Sequence, residues 1–156
     1  MKAKHALDAF NGEGARLYGG HRNTVGTPMV YAAQSRALAA TETLVHAADA
    51  DRRIQYVMYE IEIPDELILI FDKKKLPADW QSLSPPPSVQ AIGSVWQESL
   101  QSPALLVPSV MIQEECCILL NPEHPDTKAI QIHYPTPFEF DGRLNLNTLR
   151  TEAHHR

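Results

Sequence analysis

The spacing of apolar side chains along this chain changes several times, and each change marks an element. Residues 28–33 (PMVYAA) form a short apolar run of strand type. Residues 34–48 are alanine-rich and free of glycine and proline, with Ser35 placed to cap them, and they predict a helix. Residues 54–63 (IQYVMYEIEI) are enriched in β-branched and aromatic side chains, alternate over their second half and stop at Pro64, which predicts a strand. Residues 66–71 (ELILIF) predict another. After the break at residues 85–87, Val89, Ile92, Val95, Trp96 and Leu100 recur at helical spacing, so residues 88–101 are expected to pack those five side chains on a sheet. Residues 104–107, 116–120 and 129–133 add three strands. Strands outnumber helices and gather late, so the expected fold is α+β, with mixed or antiparallel sheets and flanking helices.

Composition narrows the class. The 156 residues suffice for one compact domain, with residues 1–9 and 145–156 expected to be flexible or peripheral. Hydrophobic side chains make up 44% and charged ones 21%, a globular balance. A net charge of −5 argues against direct binding of a nucleic-acid backbone. The first ten residues lack the apolar core of a secretory signal, and residues 67–71 are too short a run to span a bilayer. A cytoplasmic protein without a membrane partner is expected. The adjacent Cys116 and Cys117 then read as buried free thiols of a reducing compartment. His21, His46, His124 and His133 show no metal-ligand spacing with the cysteines, so no metal is expected.

Candidate chemistry concentrates in the first third of the chain. Residues 11–26 hold five of the seven glycines together with Arg16, His21, Arg22 and Asn23. Basic side chains beside glycine backbone can clamp phosphate, because guanidinium pairs its N–H groups with phosphate oxygens. The segment has neither the dinucleotide fingerprint nor a P-loop, so the plain alternative is a surface loop with solvated arginines. Glu42 lies four residues after Leu38 and three before Val45, bordering the inward face of its helix, where a carboxylate needs a partner or a cleft. Tyr31 precedes that helix on a strand. Ser109 follows Pro108 at the end of another, without a GxSxG setting.

Taken in order, several short motifs resemble one family. Gly12-Glu-Gly-Ala-Arg-Leu-Tyr-Gly-Gly20, Asn23, Gly26-Thr-Pro28, Val30-Tyr-Ala-Ala33, Ala39-Ala-Thr-Glu42 and Leu44-Val-His46 are similar to the RES domain. So are Leu105-Leu-Val-Pro-Ser109 and Leu119-Leu-Asn-Pro-Glu-His-Pro125. The resemblance implies an ADP-ribosyltransferase-like fold and a toxin of a type II toxin–antitoxin system. It implies degradation of NAD+ at the nicotinamide–ribose bond by hydrolysis or phosphorolysis, and an Xre-type helix-turn-helix antitoxin as partner. A homodimer is a further expectation. The family is named for an arginine, a glutamate and a serine. Glu42 matches the glutamate, Ser109 the serine, and Tyr31 an active-site tyrosine. These three are the expected catalytic residues, with His21, Arg22, Asn23 and Arg16 expected to bind the substrate NAD+. The family's Gly-Gly-Arg-Trp-Asn run reads Gly19-Gly20-His21-Arg22-Asn23 here, placing His21 where the arginine stands and Arg22 where the tryptophan stands. That departure keeps two alternatives in view: a weakened or inactive module that docks an antitoxin, and a protein ADP-ribosyltransferase.

Overall fold

A computed structural model describes residues 8–46 and 55–144. Most of both expected peripheral ends, the last two residues of the helix expected at 34–48, and the first of the strand expected at 54–63 lie outside the described residues. In chain order the elements are α1 (Glu13–Tyr18), β1 (Val30–Ala33), α2 (Arg36–His46), β2 (Tyr56–Met58), β3 (Ile61–Glu62), β4 (Ile68–Ile70), α3 (Pro87–Ser99), β5 (Ala104–Pro108), β6 (Cys116–Leu120), β7 (Gln131–Ile132) and β8 (Thr136–Phe138). Short 3-10 segments occupy Asp65–Leu67, Lys73–Lys75 and Pro125–Ala129. The fold is α+β, as the late clustering of strands implies.

The main sheet has the order β1-β6-β5-β4, with only the β4–β5 pair parallel. Strand side chains alternate between faces, so residue parity sorts the core into two layers. Met29, Leu105, Val107 and Leu119 pack with Trp96 of α3 on one face. Val30, Ala104, Leu120 and Ile130 pack on the other, flanked by Ile61, Ile63 and Ile68. Tyr31 pairs with Leu119, and Cys117 pairs with both Ala33 and Val107, so Tyr31 and Cys117 share the α3 face.

Three expected elements shorten. The strand expected at 54–63 divides, because β2 pairs with β8 while β3 pairs with β7. The strand expected at 66–71 starts as a 3-10 turn closed by Leu67 N–H on the Pro64 carbonyl (2.9 Å) and extends only over Ile68–Ile70. Residues 129–133 likewise contribute two strand residues after a 3-10 turn. The glycine-rich segment contains the unexpected α1. Its sequence EGARLY is mostly helix-favouring between glycines that bend the chain at either end.

α3 departs most from its apolar pattern. Val95 is 63% exposed and Leu100 50%, whereas Val89, Gly93, Ser94, Trp96 and Gln97 are buried. The helix turns a partly polar face inward because it braces the glycine-rich loop. Ser94 Oγ accepts from the Thr24 N–H (2.9 Å), and Gln90 Nε2 donates to the Gly20 and Asn23 carbonyls (3.0 and 3.3 Å). A Cβ on Gly93 would lie 2.0 Å from the Arg22 carbonyl oxygen, so only glycine permits this approach.

Candidate active site

A cleft of about 970 Å³ opens where the glycine-rich loop, α2, β1 and the residues of β2 and β3 meet. Its volume lies at the upper end of what small-molecule and cofactor sites occupy. Gly20, His21, Arg22, Tyr31 and Glu42 all line it.

The loop end is held by Asn23. Its side chain is fully buried, and Nδ2 donates to the carbonyls of Ala15, Thr24 and Thr27 at 2.9–3.1 Å. Its Oδ1 accepts from the Tyr31 hydroxyl (2.6 Å), which in turn accepts from the Arg22 backbone N–H (3.0 Å). Tyr31 remains 42% exposed, so its ring faces the cleft while its hydroxyl is tied to the loop. Burial pushes that hydroxyl up to about 12, outweighing the opposing influence of the Arg22 N–H and charge. At neutral pH it is a phenol, not a base.

Arg22 is 2% exposed. Its Nη2 donates to the Pro108 carbonyl (3.0 Å), its guanidinium lies 5.5 Å from the centroid of Trp80, and Nη1 is buried without a partner. Burial lowers its pKa, and at neutral pH the Glu42 carboxylate opposes that effect. The guanidinium is therefore a fixed cation in the floor, near the glutamate. Beside it, His21 Nε2 donates to the Trp80 carbonyl (3.0 Å), which fixes the proton on that nitrogen.

Glu42 is the carboxylate of the cleft. The Ser109 hydroxyl donates to its Oε1 (2.9 Å), and the Cys117 thiol approaches the same oxygen at 3.4 Å. Ser109 is fully buried and also accepts from the N–H groups of Met111 and Ile112 (3.0 and 3.2 Å). Its single proton is thus directed at Glu42. Burial, reinforced by the Glu42 charge, pushes the Cys117 thiol up to about 12, so it stays protonated and donates to the carboxylate. Two donors hold one oxygen of the carboxylate from behind.

Of the residues singled out in the sequence, Tyr31, Glu42, His21 and Arg22 meet in the cleft. Ser109 reaches it through Glu42, and Asn23 through Tyr31; neither lines it. Arg16 does not arrive, being paired with Glu13 on the outer side of α1. Pattern reading passed over Cys117 as an inert thiol and passed over Trp80 and Gln90 altogether. Only the parity of Cys117 with Val107 could have placed its thiol on the site's face. Among the described residues, no set of three His, Cys, Asp or Glu side chains is grouped to hold a metal ion, and no helix is long and apolar enough to cross a membrane.

A donor-held carboxylate at the wall of a cleft is able to face positive charge on a bound ligand. The chain belongs to the RES domain family, whose model matches residues 2–142. It is 38% identical to the Prs ADP-ribosylating toxin of Sphingobium sp. over 143 residues, covering 90% of this chain and 89% of that one. It is also 38% identical to the Toxin Res of Photorhabdus laumondii over 144 residues, 92% of each. Its fold is similar to a chain in the crystal structure of the M. tuberculosis MbcT–MbcA toxin–antitoxin complex, with a TM-score of 0.66 at 19% identity, covering 85% of this chain and 78% of that one. The protein is a RES-type toxin.

Proposed function

We propose that this toxin cleaves the nicotinamide–ribose bond of NAD+ and is restrained by an antitoxin of the Xre helix-turn-helix type. The observation that carries the reading is the Glu42 carboxylate, held by Ser109 at the wall of a cofactor-sized cleft. When the C–N bond breaks, its electron pair leaves with neutral nicotinamide and the ribose takes on oxocarbenium-like charge. Glu42 would face that charge. The exposed ring of Tyr31 would lie against the nicotinamide end, and Arg22 and His21 would form the polar floor. Attack by water yields ADP-ribose and a proton; attack by phosphate yields the 1-phosphate of ADP-ribose.

Incubating the protein with NAD+, with and without phosphate, and following nicotinamide tests this. Glu42→Ala is expected to reduce release by about 10²–10³ or more, the usual effect of losing one aligned electrostatic group. Release by Glu42→Ala at the parent's rate would end the assignment.

A second reading has its own support in the likeness to the Prs ADP-ribosylating toxin. The same bond breaks, but a side chain of a protein target takes the ADP-ribose. Mass spectrometry of candidate targets incubated with toxin and NAD+ distinguishes the two by the presence or absence of the adduct.

A further inference from the structure

NAD+ offers an anionic diphosphate as well as a ribose that becomes cationic, so its cleft needs a positive group at a second place. The described residues lining the cleft include three basic side chains: His21, Arg22 and Arg36. Arg22 is 2% exposed and committed to the Pro108 carbonyl beside Glu42. Drawing a diphosphate down to it would strip the phosphates of water and set them against the carboxylate. His21 is engaged next to it, on the Trp80 carbonyl.

Arg36 differs from both. It stands in the first turn of α2 with its side chain 68% exposed and pairs with Glu60 at 2.8 Å, the latter 61% exposed. Both residues line the cleft. An exposed pair of this kind holds weakly and is readily exchanged for a stronger partner. Glu42 follows Arg36 by six residues, which is about 9 Å along the helix axis. That is close to the reach from the anomeric carbon of a ribose across its 5′-phosphate. Ala39 and Thr43 share the helical stripe of Arg36 and also line the cleft. Their small side chains leave room for a ligand along α2.

We propose that Arg36 binds the diphosphate of the substrate, its guanidinium leaving Glu60 for the phosphate oxygens while Glu42 faces the ribose. The inference rests on the NAD+ reading. Glu60 is then a competitor for Arg36 in the empty cleft and not a structural partner.

Calorimetry with ADP-ribose, which carries the diphosphate and lacks nicotinamide, tests this on the full chain. Arg36→Ala is expected to weaken ADP-ribose binding by about ten- to a hundredfold, the size of a charge-assisted contact. It should raise the KM for NAD+ by a similar factor and leave kcat within about twofold. Arg36→Lys should fall between, because an ammonium keeps the charge and loses the paired geometry. Glu60→Gln should bind ADP-ribose at least as tightly as the parent. Parent-like binding by Arg36→Ala would overturn the proposal, as would a loss in Glu60→Gln equal to that in Arg36→Ala. A parent protein that binds neither NAD+ nor ADP-ribose would overturn the NAD+ reading itself, and this proposal with it.

Discussion

At Ser109 three hydrogen bonds define the orientation of one hydroxyl: two backbone N–H groups fill its lone pairs and its proton goes to Glu42. With no exposure, the hydroxyl has no route to substrate and acts through the carboxylate. Ser109→Ala leaves Oε1 with the Cys117 thiol as its remaining donor and frees the carboxylate to rotate. Misplacing a reacting group by about 1 Å can cost on the order of 10² in rate. Ser109→Ala is therefore expected to lower kcat by about that much while the KM for NAD+ stays near the parent value. Steady-state kinetics decides it, and a KM rise at constant kcat would mean that Ser109 touches substrate instead. Pattern drew attention to Glu42, Tyr31 and Ser109 as polar groups beside apolar runs, and their expected roles came from the resemblance to the RES domain. The Ser109–Glu42 contact was not legible in the sequence, since it joins positions 67 apart, from α2 packed beside β1 to the residue that follows β5. Asn23 illustrates the opposite limit. Its place in the glycine-rich run suggested ligand contact, whereas its bonds run to the loop's own carbonyls and to Tyr31.

Among the elements, α3 decides where the glycine-rich loop sits. Gly→Ala within a helix is normally favourable by roughly 0.5–1 kcal/mol. At Gly93 the new methyl would meet the Arg22 carbonyl oxygen at 2.0 Å and its carbonyl carbon at 3.0 Å, and backbone cannot move aside as a side-chain tip can. Overpacking of that kind costs roughly 1–3 kcal/mol or more. Gly93→Ala is expected to lower the melting temperature by several degrees and to slow nicotinamide release, because Arg22 and Tyr31 shift with the loop. A variant as stable and as active as the parent would show that α3 does not set the loop. The sequence made α3 recognisable as a helix yet assigned it the wrong face. Apolar spacing counts Val95 and Leu100 as core, but the loop it braces consists of backbone polar groups, which are met by Gln90 and Ser94. Hydrophobic periodicity cannot register a face whose purpose is to satisfy carbonyls and amides. The split of residues 54–63 was hidden for a related reason: β2 and β3 are continuous in composition, and only their partners β8 and β7 differ.

For the molecule as a whole, the cleft draws on distant segments, namely the loop ending at Asn23, Glu42 on α2, the end of β5 and the start of β6. Catalysis and global stability should accordingly fail together under conditions that oppose the buried site. Alkaline pH is one. The Cys117 thiol ionises near 9.0 ordinarily and at about 12 here, and the Tyr31 hydroxyl near 10.0 ordinarily and at about 12 here, both through burial. Both are acids whose neutral form the fold prefers. Below about pH 9 folded and unfolded chains hold these protons alike, and the full stability is present. From there towards pH 12 the unfolded chain releases protons that the folded one retains, so unfolding becomes progressively easier as pH rises. Cys117→Ser substitutes a hydroxyl that can still donate to Glu42 but does not titrate in this range. The urea midpoint of the parent is thus expected to fall more steeply than that of Cys117→Ser between pH 9 and pH 11. Comparing the two slopes cancels contributions from other titrating side chains, and identical slopes would place the Cys117 thiol in water and away from the carboxylate it is drawn against.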